Sequence, residues 1–144
     1  MVEFSPLVKH LANFWLLLIA VIFGFFWIQQ VSASPLNYKC AVQQVQSSSN
    51  DAGFIQDNLR KTFLITILDN QIIASQSSSA FEPSQDSYTI VARNLLGIHS
   101  VNLSAVGLGT LSIENSQHRN DVQATVTIQG TFFVNVWNLK CKKT

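Results

Sequence analysis

Charged residues are scarce in this chain. Its 144 residues include nine Lys or Arg and eight Asp or Glu, which gives a formal net charge of +1. A chain so close to neutrality lacks the broad positive field that sequence-independent nucleic-acid binding requires. The basic residues that do cluster, Lys140, Lys142 and Lys143, are interpreted as a solvated C-terminal tail. We therefore expect no nucleic acid among the partners.

Catalytic and cofactor motifs are also missing from the sequence. It contains no Gly-x-Ser-x-Gly elbow, phosphate-binding glycine loop or calcium loop. Ser100 follows His99, but successive residues of a strand point to opposite faces, so we expect these two side chains to diverge. Nearly all acidic residues fall in predicted turns or strand ends, where such residues usually serve local hydrogen bonding and solubility. The sequence thus predicts a non-enzymatic protein with no catalytic residues and no cofactor.

Cysteine is limited to Cys40 and Cys141, which nearly bracket residues 34–144. Neither cysteine has a second metal-binding residue at short spacing, so we expect no metal site. In an oxidising compartment, such a pair is predicted to form one disulfide that joins the first strand to the last. Two free, buried thiols are the alternative.

The sequence has one long apolar run, at residues 11–28, which reads LANFWLLLIAVIFGFFWI and carries no charge. Such a segment is either removed as a secretory signal or kept as a membrane anchor. Its strongest part is slightly shorter than the ~20 residues that a bilayer-spanning helix needs. Val31 and Ala33 provide the small residues that precede a cleavage site between Ala33 and Ser34. We predict a cleaved signal over residues 1–33, with a retained anchor as the alternative and the only expected membrane contact.

Residues 34–144 are predicted to form a single β-domain. Apolar and polar residues alternate over 36–42 and 122–129, which is typical of strands with one buried face. Asp51 is predicted to cap a short helix that ends near Leu59.

Two stretches depart from simple alternation. Residues 62–68 are apolar almost throughout, so a strand with a single buried face is not expected there. Gly107 and Gly109 lie in an otherwise strand-like run, where glycine usually marks a bulge or a bend.

Short strands at regular spacing, about seven or eight in number, indicate a barrel or a sandwich. We favour a small antiparallel β-barrel after an N-terminal hydrophobic helix, because closing such a sheet makes its first and last strands neighbours. A β-sandwich is the alternative. In an immunoglobulin-like sandwich, however, a tryptophan lies between the paired cysteines, whereas Trp137 stands beside Cys141.

Four aromatic residues are candidates for contact with a ligand or partner: Tyr88, Phe132, Phe133 and Trp137. The interior of an eight-stranded barrel is just wide enough to be filled by side chains or to hold one small ligand. Plain core filling is therefore the alternative for these rings. Phe132 and Phe133 are adjacent, so one of them is expected to face outward. Phe81, in a polar loop, is expected to pack against the end of the barrel.

These observations predict an exported, non-enzymatic binding or structural module of the periplasm or cell exterior. Its partner is an unidentified protein or small ligand. One alternative is a membrane-tethered accessory or assembly protein that keeps residues 11–28. The other is a small ligand-binding barrel or an uncharacterised small enzyme.

Overall fold

A computed structural model of the chain describes residues 34–49, 51–114 and 121–144, which are nearly all β. These residues form eight strands and one helix. The strands are β1 (Leu36–Ser47), β2 (Thr62–Ile67), β3 (Gln71–Ser77), β4 (Ser84–Asn94), β5 (Gly97–Ser104), β6 (Gly107–Glu114), β7 (Asp121–Gln129) and β8 (Val134–Lys143), and helix α1 (Ala52–Leu59) lies between β1 and β2.

The eight strands form a closed antiparallel barrel. Each strand pairs with the next along the chain, and β8 pairs with β1 to complete the circle. Closure leaves no unpaired edge that invites association with another chain. The predicted barrel is confirmed, and the alternative of a β-sandwich is wrong.

The predicted disulfide joins Cys40 to Cys141 and lies across the seam between β1 and β8. The two residues stand directly opposite each other in the antiparallel register, with their Cα atoms 3.9 Å apart. The bond therefore links the first and last strands, as the sequence predicts.

Inward-facing side chains fill the barrel. The largest fully buried apolar ones are Ile65, Ile72, Leu111 and Val126. β7 has the predicted alternation, with its apolar residues inside. The expectation that β2 has no single buried face is wrong, because Ile65 is fully buried whereas its neighbour Leu64 is 49% exposed. A barrel strand has only one inward face, so one side of an apolar strand must meet solvent.

Among the described strands, the pairing register shifts, as at a β-bulge, in β1 between Val42 and Gln44 and in β4 between Ile90 and Ala92. The bulge expected as one possibility at Gly107 and Gly109 does not occur, because the pairing of β5, β6 and β7 runs without a shift past both glycines.

The two positions favour glycine for other reasons, a backbone conformation at Gly107 and a close side-chain contact at Gly109. Gly107 follows the tight turn between β5 and β6 and has φ +147°, a conformation that residues with a side chain rarely adopt. Gly109 lies against the ring of Tyr88, which a Cβ at this position would approach to 3.2 Å.

Helix α1 begins where the sequence predicts. The Asp51 carboxylate accepts hydrogen bonds from the backbone N–H groups of Gly53 and Phe54, at 2.9 and 3.2 Å. Such a cap satisfies two donors that have no partner within the helix. The helix ends at Leu59, and Lys61 then leads into β2.

Because successive strands run in opposite directions, the connections between them alternate between the two ends of the barrel, which we name the mouth end and the entry end. The mouth end carries residues 48–49 and 51–61 with α1, the loop at 78–83, the turn at 105–106 and the connection at 130–133. The entry end carries the start of β1, the turns at 68–70 and 95–96, and the end of β8.

The predicted signal or anchor over residues 1–33 lies outside the described residues, and so the division from 34–144 and the cleavage site between Ala33 and Ser34 stay predictions. In the part of the chain that the structure describes, no helix has the length and apolar character needed to cross a bilayer.

Candidate functional site at the barrel mouth

Asn58 attaches helix α1 to the barrel mouth. This side chain is fully buried, with 0% exposure. Its Nδ2 donates to the Phe54 carbonyl oxygen at 2.7 Å, and its Oδ1 accepts from Trp137 Nε1 at 3.0 Å. A buried amide and a buried indole each need such partners, because an unmade hydrogen bond costs about 1–3 kcal/mol. The pair therefore fixes both the last turn of the helix and the orientation of the Trp137 ring.

Lys61 turns into the mouth beneath the loop at 78–83. Only 8% of its surface is exposed. Its Nζ lies 4.2 Å from the centroid of the Phe81 ring and 5.2 Å from that of Trp137. Both distances are within the range of cation–π attraction. Phe81 itself packs edge-on against Phe54 of α1, with centroids 6.3 Å apart, so the predicted packing of Phe81 on the barrel end is confirmed.

The Lys61 ammonium has no acidic partner among the described residues. The ion pairs there join Arg60 to Asp57 and Lys140 to Asp121. Burial lowers the pKa of Lys61 from its ordinary value of 10.5, because the charged form loses hydration. The Lys61 ammonium thus contacts two aromatic rings. Its N–H donors make no hydrogen bond to a described residue and are available to a ligand.

A small cavity lies beside Lys61 inside the mouth, and we name it the mouth pocket. Its volume is about 50 Å³, and its walls combine apolar, aromatic and polar side chains: Lys61, Phe63, Ala74, Gln76, Asp86, Tyr88, Val126, Ile128 and Trp137. About 10–15 Å³ suffices for one water molecule, so the pocket holds roughly four water-sized groups. The mouth pocket thus provides space for a small group at this end of the barrel.

Asp86 adds a negative charge to the same pocket. It stands on β4 two residues before Tyr88, so both side chains face inward. Burial, and secondarily the charge of Asp86, raises the pKa of Tyr88 to about 12, which keeps its hydroxyl protonated. In the described residues, Asp86 makes no ion pair or side-chain hydrogen bond. No fully buried side-chain polar atom described lacks a partner, so the unpaired groups of Lys61 and Asp86 reach accessible space.

The four aromatic residues singled out in the sequence divide into two pairs. Tyr88 and Trp137 meet in the mouth pocket, 2% and 4% exposed. Phe132 and Phe133 lie in the connection at 130–133, which the sequence assigns to the last strand but which precedes β8. Phe132 is 95% exposed, whereas the Phe133 ring covers Gly130. The prediction that one of these two faces outward is confirmed.

Exposed apolar side chains surround part of the mouth end. We name this set the apolar rim: Leu103, Val106, Leu108, Phe132 and Val134. Leu103 pairs with Leu108 across β5 and β6, and Gln129 of β7 stands between Leu108 and Val134. Leu103, Leu108 and Val134 thus share one outward-facing row, whereas Val106 and Phe132 lie in the adjoining connections. The rim contains no charged residue.

Lys61, Asp86 and Asn58 are the residues of this site that the sequence does not single out. His99 and Ser100 diverge as expected, since Ser100 donates inside the barrel to the Leu111 carbonyl oxygen, whereas His99 contacts Ser112. Within the described residues, no group of three or more His, Cys, Asp or Glu is placed to hold a metal ion.

No protein-family model, curated protein or solved structure matches this chain.

Proposed function

We propose that this chain is an exported, non-enzymatic binding module whose barrel mouth holds a small polar ligand. The observation that carries the proposal is Lys61, a buried ammonium that faces the mouth pocket without a described acidic partner. A site made of apolar and aromatic walls with a few converging polar groups is the usual form of a small-molecule site, and barrel mouths are a common place for one.

Binding fits the arrangement better than catalysis does. A nucleophile and its base need to be within hydrogen-bond reach of each other. Among the described residues, no hydrogen bond connects Lys61, Asp86 and Tyr88. Lys61, just before β2, instead reaches the cavity from one side, and Asp86 and Tyr88 of β4 reach it from another, which suits contacts to a ligand placed between them.

Export is part of the proposal. It is supported by the uncharged run at residues 11–28 and is compatible with the Cys40–Cys141 disulfide, because such bonds persist in oxidising compartments.

The test is a two-dimensional NMR screen of the full chain with small polar compounds, in which the indole signal of Trp137 reports on the mouth pocket. We expect at least one compound to shift this signal saturably. The Lys61→Met variant should lose the shift, whereas Lys143→Met, at the exposed end of β8, should keep it. A screen in which every compound leaves the Trp137 signal unchanged contradicts the proposal.

A second candidate function is that of a membrane-tethered accessory protein that keeps residues 11–28. The observation that favours it is the apolar rim, above all the 95% exposure of Phe132. β1 begins at the entry end, so the rim lies at the opposite end of the barrel from the start of β1. Since the rim carries no charge, the partner that fits it is an apolar surface of another protein.

Two measurements test this second candidate. The first is N-terminal sequencing of the protein from its own host, because a mature chain that starts at Ser34 would exclude a tether through residues 11–28. A photo-reactive residue at position 132 should cross-link one defined partner. The same residue at position 96, in the exposed turn at the entry end, should not. Equal cross-linking from both positions contradicts docking through the rim.

A further inference from the structure

The mouth pocket carries one positive and one negative side chain that do not pair with each other. Lys61 and Asp86 both line it, and neither forms an ion pair with any described residue. Oppositely charged groups that share a small cavity attract each other strongly, because the surroundings screen them less than bulk water does. That they remain apart in this cavity leaves two charged positions for a ligand.

The pair of charges discriminates among ligand classes. A simple anion is attracted by Lys61 but repelled by the Asp86 carboxylate in the same cavity. A simple cation is attracted by Asp86 but repelled by Lys61. A neutral molecule leaves both charges without a counter-charge, which is unfavourable above all for the buried Lys61 ammonium. A small zwitterion satisfies both, with its anionic group on Lys61 and its cationic group on Asp86. Specificity of this kind rests on repulsion of the wrong ligand as much as on attraction of the right one.

Size limits the zwitterion further. A cavity of about 50 Å³ takes roughly four water-sized groups, which matches the few non-hydrogen atoms of the smallest amino acids. Apolar and aromatic walls, including Ala74, Ile128 and Trp137, leave the remaining surface of the pocket without further charge. The rings of Phe81 and Trp137 hold the Lys61 ammonium in place at 4.2 and 5.2 Å before a ligand arrives.

Taken with the proposed function, on which this inference rests, the geometry points to a ligand class. We propose that the mouth pocket binds the zwitterion of a small α-amino acid, whose carboxylate contacts the Lys61 ammonium and whose ammonium contacts the Asp86 carboxylate. The phenol of Tyr88, kept protonated, is a further hydrogen-bond donor on the same wall as Asp86.

The experiment compares three probes on the full chain by NMR titration: glycine, acetate and methylammonium. Glycine carries both charges, and each of the other two carries one. We expect glycine to shift the Trp137 indole signal saturably and to bind at least about tenfold more tightly than either other probe.

Variants locate the two contacts. Lys61→Met and Asp86→Asn should each weaken glycine binding by about tenfold or more, whereas Lys143→Met and Asp69→Asn, both at the entry end, should change it by less than about twofold. Thermal melts check that each variant folds, and Lys61→Gln replaces Lys61→Met if the latter does not. Loss of glycine binding in the entry-end variants as well would contradict the assignment of the site.

The outcomes separate this inference from the proposed function. Acetate that binds as tightly as glycine makes the pocket an anion site, and methylammonium that does so makes it a cation site. Either result overturns the zwitterion but keeps small-ligand binding at the mouth. If none of the three probes shifts the Trp137 signal, the zwitterion inference falls, and the broader compound screen alone decides the proposed function.

Discussion

Lys61 occupies a position where a charged group costs free energy. Burial lowers its pKa, and no described carboxylate pairs with it, so the ammonium is less favourable in the folded chain than in water. The rings of Phe81 and Trp137 offset part of this cost, by about 1–2 kcal/mol on the usual scale of cation–π contacts. Residues that lower stability in this way are typical of functional sites, where activity is retained at the expense of stability.

The first prediction is that Lys61→Met raises the free energy of unfolding at neutral pH by about 1 kcal/mol. Replacing a buried charged group by a well-packed apolar side chain often increases stability. The folded pKa lies below 10.5, so the deficit due to Lys61 is present at neutral pH and disappears as the pH rises to 10.5. Urea unfolding of wild type and variant should therefore converge toward that pH. A variant less stable than wild type at neutral pH would show that the two rings overcompensate.

Tyr88 contributes a pH dependence of the opposite direction. Its folded pKa of about 12 lies above the ordinary 10.0, because burial and then Asp86 disfavour the phenolate. Stability from the neutral phenol is therefore complete below pH 10 and is lost as the pH rises toward 12.

We predict that wild type loses about 2 kcal/mol of unfolding free energy over this interval in excess of the loss in Tyr88→Phe, which has no phenol to ionise. Denaturant unfolding near pH 10 and near pH 12 measures the difference, and tyrosinate absorbance follows the ionisation. Parallel curves for the two proteins would contradict a raised pKa for Tyr88.

At the scale of elements, α1 is held to the barrel by very few polar contacts. The Asn58–Trp137 hydrogen bond is the one that connects the helix to β8, and both of its residues are buried. The cap at Asp51 stabilises the helix itself but contacts no strand. The position of the helix over the mouth thus depends on Asn58, on the packing of Leu59 against the barrel core, and on the Phe54–Phe81 contact.

We predict that Asn58→Ala and Trp137→Phe each lower the unfolding free energy by about 2–4 kcal/mol, because each leaves a buried polar partner unsatisfied or opens a cavity. The double variant should lose less than the sum, by about 1 kcal/mol or more, since the second substitution removes the orphaned partner. A double-mutant cycle by urea unfolding gives this coupling energy. Strict additivity would indicate that the two side chains act independently.

Individual strands were predictable to different degrees. β7 has strict alternation, and the structure shows it with one buried face. β2 has apolar residues on both faces, so its pattern does not reveal that Leu64 faces outward, and only closure into a barrel decides which face is buried. For Gly107, the sequence pattern does not separate a bulge within a strand from the residue that follows a tight turn.

At the scale of the whole molecule, the Cys40–Cys141 bond joins strands that are far apart along the chain, with a sequence separation of 101. A cross-link over so long a loop removes much conformational entropy from the unfolded chain, on the order of 4–5 kcal/mol in the chain-entropy account. For a small domain this is a large share of the total stability.

We predict that reduction of the disulfide lowers Tm by on the order of 20 °C. Thermal melts followed by circular dichroism, with and without a reductant, measure the shift. A double variant with Cys40→Ala and Cys141→Ala controls for other effects of the reductant and should melt identically in both conditions. If the wild-type protein melts at the same temperature with and without the reductant, the disulfide does not contribute to its thermal stability.

The architecture was accessible from the sequence, whereas the site was not. The short strands and the cysteine pair predict a barrel closed between its first and last strands, and that is the fold. Lys61 offers no local signal, because it adjoins Arg60, which stays exposed, and nothing in the two side chains tells which one turns inward. Its proximity to Asp86 and Trp137 depends on how α1 and residues 60–61 pack on the barrel end.

The disulfide also turns the chain between Cys40 and Cys141 into a covalent ring that contains all eight strands, at least in part. One cut by a protease in the loop at 78–83 opens this ring but releases no fragment, because the two pieces stay joined through sulfur. The cut protein keeps its full mass on a gel run without reductant and separates into two bands only when a reductant is added. For a protein proposed to be exported, a single cut by a protease would therefore leave the molecule in one piece.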